Sequence, residues 1–445
     1  MKINMTENVQ AILNKLQNNG YQAYIYGACI RDYLLGKEPI SWDITTNALP
    51  NDIVVIFDEK EGFSTIPSIQ DYGIVTVLSK GESYQVNTFR TGEERRFADD
   101  INEDLMYKDF TMDSIAYNEQ EGLVDPYNGV EDIKNRLIRC ARNPFEQMQE
   151  DSVRILRAIR FKSQLEFNIE SELLQAIKDL KDSVPASGSE RVRNEFIQIL
   201  LSEQPSRGIR RLLELGLLGR LIPEVIPTIG FDTRSSYHDK DVFEHTLVVL
   251  DNTEPNLTLR LAALLHDIDK PNCLTIDEDG EGHCYGHAGG SSEMAQTILG
   301  RLNFDRKTTK AVTALIKEHM NDFENISDLS IKRLIRRVGP DNIDRLFELQ
   351  LADIKGSELS GRDPDRTMKI RNKCFEVLSR REPLTVHDLD ISGYDLLSLG
   401  YPPGREIGET MEYLLDQVVE NPALNQRDTL ITLLKNKSGD SPRTY

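Results

Sequence analysis

The sequence has little of what marks secreted scaffolds, membrane proteins or nucleic-acid coats. Its five cysteines, Cys29, Cys140, Cys273, Cys284 and Cys374, are odd in number and form no CxxC pair, which argues against a disulfide framework or a thiolate zinc site. No apolar run approaches the roughly 20 residues of a membrane span. Residues 1–19 lack the basic and apolar regions of a secretory signal, so the chain reads as cytoplasmic, with reduced thiols and no membrane partner. Positive charge is in the minority: 53 Lys and Arg against 73 Asp and Glu give a net charge of −20. That balance disfavours a DNA-coating role but leaves room for a local basic face that grips RNA phosphates. What is present, 39% hydrophobic and 28% charged residues over 445 positions, is a globular balance with length for two to four domains.

Residues 8–138 mix periods. Val9 to Leu16 have helical spacing, Ala23 to Tyr26 read as a strand and Ile30 to Leu35 as helix. Ile74 to Leu78 and Tyr84 to Phe89 read as strands joined in a hairpin across Ser79-Lys80-Gly81-Glu82. From Glu150 the strand signal vanishes and helical periodicity runs almost to the end. The expected class is α+β, an α/β head followed by an all-α body. Breaks near 184–189, 226–230 and 356–366 divide the chain into 1–145, 146–230, 231–365 and 366–445.

Six of the seven histidines lie between His238 and His319. Adjacent His266 and Asp267, read as lying within an apolar helix, are costly to bury without a partner, and a divalent cation is the usual one. Imidazole with carboxylate suits Mg, Mn, Fe, Co or Ni alike, so the identity of the metal stays open. In order of residues the segment resembles the metal-dependent phosphohydrolases named for their His-Asp (HD) pair. The resemblance implies that His245, His266, Asp267 and Asp353 are metal ligands, that His287 and His319 are the extra ligands of two-metal members, and that Lys270 takes part in catalysis. Asp269 stands where that family commonly has Gly. His238, His283 and His387 match no ligand position and read as surface or supporting residues.

The first half carries a second set of motifs. Gly27-Ala28-Cys29-Ile30-Arg31-Asp32 follows the first strand, then come Asp43-Ile44-Thr45-Thr46, Thr88-Phe89-Arg90, Asp109-Phe110-Thr111, Asp125-Pro126-Tyr127-Asn128-Gly129, Glu150-Asp151-Ser152-Val153-Arg154 and Ser189-Glu190-Arg191-Val192-Arg193. In this order they resemble the bacterial class II CCA-adding tRNA nucleotidyltransferases and poly(A) polymerases. The resemblance implies a polymerase-β-like head with Asp43 as catalytic acid. It also implies a nucleotide held by Gly27, Arg31, Asp151, Arg154 and Arg157, a divalent metal, and RNA, above all the tRNA 3′ end, or free nucleotides as partners. The Asp151 to Arg154 spacing is expected to put both on one helical face.

Departures cluster at the chemistry. Of the family's three acids only Asp43 remains, the other positions being Ser41 and Gln85; Ala28 replaces the second turn glycine; and Tyr107-Lys108-Asp109-Phe110-Thr111-Met112-Asp113 replaces an Arg-Arg-Asp-Phe-Thr-x-Asn motif. The expectation is therefore a metal-dependent phosphohydrolase of this family with a degenerate transferase head. An active tRNA nucleotidyltransferase and a non-catalytic RNA or nucleotide sensor are the alternatives.

Overall fold

The computed structural model describes residues 2–57, 62–69, 73–91, 96–236, 239–321, 326–357 and 361–438. Its contacts separate two compact units, Met1–Arg220 and Leu221–Tyr445. The fourfold division drawn from the sequence is finer than this partition and stands as a proposal.

The first unit opens with the helix Glu7–Asn18, capped by Thr6 and burying Val9, Ile12, Leu13 and Leu16 on one face. Seven strands follow: Ala23–Tyr26 (β1), Asp43–Thr46 (β2), Phe63–Ile69 (β3), Ile74–Ser79 (β4), Glu82–Thr88 (β5), Ala116–Asn118 (β6) and Gly122–Val124 (β7). They form one sheet in the order β3-β4-β5-β2-β1-β6-β7, antiparallel except where β2 pairs parallel with β5. The expected β4–β5 hairpin is present. Lys80 and Gly81 take positive φ of 50° and 84°, as a two-residue hairpin turn of type I′ requires.

Register positions the first site. Tyr26 at the end of β1 pairs with Asp43 at the start of β2, so Gly27, at φ 74°, and the helix Ala28–Leu34 begin beside Asp43. The Asp-Pro-Tyr-Asn-Gly motif is a capping device: Asp125 accepts from the backbone N–H groups of Gly129 and Val130. A Cβ on Gly129 would lie 2.1 Å from the Thr111 carbonyl oxygen, so only glycine permits this approach.

Helices Pro144–Glu150, Val153–Leu165, Ser171–Leu180, Glu190–Leu200 and Pro205–Glu214 complete the unit. The body is not all helix. Leu137–Ile138 pairs in parallel with Asn168–Ile169, and Leu274–Ile276 forms a hairpin with Gly282–Cys284; strands of two or three residues are too short for alternation to register.

In the second unit, helices Val242–Asp251, Leu257–Leu265, Arg306–Glu318 and Ile343–Gly356 pack against one another, with His287–Arg301 laid against Arg306–Glu318. Towards the C-terminus, Leu396, Leu414, Leu415, Val418 and Leu430 form a separate apolar cluster. Among the described residues no helix is long and apolar enough to cross a membrane.

Candidate functional sites

A cavity of about 760 Å³ in the first unit is lined by Gly27, Arg31, Asp43, Asp151, Arg154 and Arg157, all the head residues the resemblance implied, together with Arg90, Lys108, Arg160 and Arg191. Much of its positive charge is already paired. Arg154 Nε donates to Asp109 Oδ1 at 2.7 Å, Arg157 donates to the other Asp109 oxygen and to Glu195, and Arg160 donates to Glu195 at 2.7 Å. Burial alone would raise the Asp109 pKa, but the Arg157 and Arg154 guanidiniums outweigh it and hold the carboxyl below its usual value. Arg31 is buried, donates to Asp113 at 2.5 Å and covers the ring of Phe161. The Asp at position 113 that breaks the family motif thus supplies the counter-charge for Arg31.

Asp151 and Arg154 do not share a helical face. Asp151 is extended, at φ −148°, after the helix Pro144–Glu150, and the next helix starts at Val153. Its carboxylate accepts from Val153 N–H and pairs with Arg191 at 2.5 Å; a side chain that caps a helix start cannot also lie one turn inside it.

Asp43 is half-buried, whereas Ser41 and Gln85 are exposed. Burial raises the Asp43 pKa, opposed by the Lys108 ammonium. Lys108 Nζ lies 3.0 Å from Asp104 and 4.0 Å from the Tyr26 ring centroid. Asp104 also accepts from Thr45 Oγ1 and Arg90 N–H, so its oxygens are committed. One carboxylate, one hydroxyl and one amide do not fit a pair of Mg²⁺ ions, which demand near-octahedral oxygen shells and anionic charge.

The second site differs in kind. His245, His266, Asp267, His287, His319 and Asp353 are all buried, and their ligand atoms converge in overlapping groups: His245, His266 and Asp267; His266, His319 and Asp353; Asp267, His287 and His319. The structure thus gathers all six implied ligands. It also corrects their setting: the helix ends at Leu265, and His266 and Asp267 occupy the turn beyond it. There the His266 ring can reach the Ala263 carbonyl at 2.9 Å. His287 Nδ1 lies 2.8 Å from the Cys284 carbonyl and His319 Nδ1 2.6 Å from that of Ile316. Each carbonyl faces Nδ1, so Nε2 is the ring atom turned toward the centre. The Nε2 atoms of His266, His287 and His319 are buried with no satisfied hydrogen bond. Ring nitrogens oriented in this way around two buried carboxylates fit a divalent cation.

His266 Nε2 and His287 Nε2 approach different Asp267 oxygens, at 3.1 and 3.2 Å, and His245 Nε2 lies 2.9 Å from Asp353 Oδ1. Burial would lower the His266 pKa, but Asp267 pushes it up to about 10; burial and then the His266 charge bring His319 down to about 3. Lys270 Nζ pairs with Asp267 Oδ2 at 2.6 Å, and Arg362 pairs with Asp353. Both cations line a cavity of about 430 Å³ with His287 and Asp353. Of the histidines set aside, His283 bonds Asp277 at 2.8 Å, His387 is exposed and His238 lies outside the described residues. Arg362 was missed because no motif surrounds it. Asp109 pairs with arginines 45 and 48 residues further on, a partnership that no local pattern signals.

Comparison with known proteins follows the same course along the chain. Residues 23–139 match the family model of the poly A polymerase head domain, 166–228 that of the probable RNA and SrmB-binding site of polymerase A, and 286–434 that of tRNA nucleotidyltransferase domain 2, putative. A CCA-adding enzyme of Pediococcus pentosaceus is 33% identical over 57% of this chain and 63% of its own length, short of two thirds of that relative. A CCA-adding enzyme of Ligilactobacillus salivarius is 26% identical over 94% of both chains. The fold is shared with the Bacillus stearothermophilus CCA-adding enzyme in complex with CTP, at TM-score 0.65 and 23% identity over 98% of this chain and 100% of that one. Family models in register with the motifs, and relatives of one kind, support membership of this chain in the class II CCA-adding enzyme and poly(A) polymerase family.

Proposed function

We propose that this chain acts on RNA 3′ ends, tRNA first among them, as a nucleotidyltransferase of the CCA-adding kind, with the cavity of the first unit as its nucleotide site. This reverses the order of expectations drawn from the missing acids, because the relatives are CCA-adding enzymes and relatives of known structure are described in complex with CTP and with tRNA. The observation that carries it is the convergence of Gly27, Arg31, Asp43, Asp151, Arg154 and Arg157 on one cavity. Asp43 is the residue placed to accept the 3′-hydroxyl proton, and its raised pKa suits a proton acceptor. With Ser41 and Gln85 beside it, transfer is expected to be slow. Labelled CTP and ATP supplied to tRNA lacking its 3′-terminal residues test this: wild type should extend the tRNA and Asp43→Asn should not, whereas equal extension by both overturns it.

A second reading, a metal-dependent phosphohydrolase centre in the second unit, is favoured by the three histidines whose Nδ1 atoms face carbonyls while Nε2 turns toward Asp267 and Asp353. A divalent cation held by His245, His266, Asp267 and Asp353, with His287 and His319 for a second, would supply Lewis-acid charge at a phosphoryl group. Lys270 and Arg362 would hold the phosphate, the bidentate Arg362 fixing its orientation. Metal analysis of the purified protein, with hydrolysis of nucleoside monophosphates and cyclic phosphates, tests this reading; no bound transition metal and no hydrolysis would end it.

A further inference from the structure

Five thiols divide by environment. Cys29, Cys140 and Cys374 are buried, while Cys273 and Cys284 are partly exposed, and Cys284 lines the cavity beside the His and Asp cluster. The two exposed thiols are held together. Cys273 closes the helical turn Lys270–Cys273, and Cys284 ends a hairpin strand in which it pairs with Leu274, the residue after Cys273. Both thiols point at one atom, the Lys270 carbonyl oxygen, with Sγ at 3.6 and 3.7 Å. Both also border the metal-site residues. Lys270 pairs with Asp267, and the Cys284 carbonyl faces the His287 ring.

We infer that Cys273 and Cys284 form a reversible dithiol site that a low-molecular-weight disulfide such as oxidised glutathione converts to an intramolecular disulfide, loosening the adjoining metal centre. One thiolate attacks glutathione disulfide and forms a mixed disulfide, releasing one glutathione. The second thiol loses its proton, attacks the protein sulfur of that adduct and releases the other glutathione. The protein pair is oxidised by two electrons and glutathione disulfide is reduced by two. Joining the sulfurs removes both S–H donors from the Lys270 carbonyl and draws in the strand end whose carbonyl orients His287. Loss of such an orienting contact costs roughly ten- to hundredfold in metal affinity. The coupling rests on the metal-centre reading; the disulfide does not.

The test uses the full chain, reduced and then equilibrated with glutathione disulfide, with free thiols alkylated and read by intact mass and peptide mapping. The expected result is a product lighter by two hydrogens, linked between Cys273 and Cys284 and reversed by dithiothreitol, with Mn²⁺ affinity at least tenfold below that of the reduced protein. Cys273→Ser and Cys284→Ser should each give only a glutathione adduct and no internal disulfide, and Cys273→Ser should keep the Mn²⁺ affinity of the wild type in reducing buffer. Wild type that keeps both thiols alkylatable, or accumulates the mixed adduct, overturns the dithiol site. A disulfide that leaves Mn²⁺ affinity unchanged overturns the coupling, and reduced protein that binds no Mn²⁺ indicts the metal-centre reading alone.

Discussion

The two cavities solve the problem of buried charge in opposite ways. In the first unit guanidiniums are matched by carboxylates of the same cavity: Asp109 takes Arg154 and Arg157, Glu195 takes Arg157 and Arg160, and Asp113 takes Arg31. In the second unit the carboxylates are matched by Lys270 and Arg362, and the Nε2 atoms of His266, His287 and His319 have no satisfied hydrogen bond. A site whose charges are paired internally is stable without a ligand and gives up contacts to bind one. A site with bare buried donors is costly until something fills it.

The largest effect that would break this contrast lies in the second cavity. His266→Ala or Asp267→Ala should abolish stoichiometric transition-metal binding while circular dichroism stays unchanged; full occupancy in either variant, measured by elemental analysis, would remove the metal centre. Stripping metal from wild type with a chelator should lower stability by about 3 kcal/mol when free metal had been a hundredfold above Kd, read as a drop in the thermal midpoint.

In the first cavity Asp109→Asn should cost about 3 kcal/mol in urea unfolding, because two arginines are left facing each other partly buried. The folded pKa of Asp109 is depressed. Its contribution is therefore present above the unfolded value near 4 and lost as pH falls through the folded one. Stability of Asp109→Asn should accordingly fall less than that of wild type below about pH 4, and parallel acid curves would show that the pairing contributes nothing.

A gain of function sharpens the comparison further. Ser41→Asp with Gln85→Glu should raise CTP incorporation about tenfold, since they restore acids beside Asp43 in a cavity whose other carboxylates are committed to arginines and Lys108. No gain in a folded double variant would mean that the resident cations have closed the site to metal. The smallest effect is expected from Arg191→Ala, which frees Asp151 from its ion pair and should change the ratio of CTP to ATP use by no more than about threefold, measured by competition.

Local chemistry was legible in the sequence and long-range partnership was not. The hairpin at Lys80-Gly81 is dictated by two adjacent residues, and the His and Asp cluster was legible because those residue types are costly to bury without a partner. Asp151 was assigned to the wrong element because spacing alone cannot tell a capping residue from one inside the helix. Arg362 escaped notice because its role depends on Asp353, nine residues earlier on another element. The pairing of Arg31 with Asp113 joins residues 82 positions apart, and what looked like decay of a motif is a compensated charge.

The three histidines facing carbonyls share a detail with a longer reach. His266, His287 and His319 each turn Nδ1 to the carbonyl of the residue three positions earlier in the chain. Each histidine and the carbonyl that orients it therefore travel together on one short segment, and insertions between the segments would displace neither relative to the other. Such a centre can survive wide divergence in the sequence that separates its parts. The cavity of the first unit, lined by residues from separate strands and helices, has no such protection.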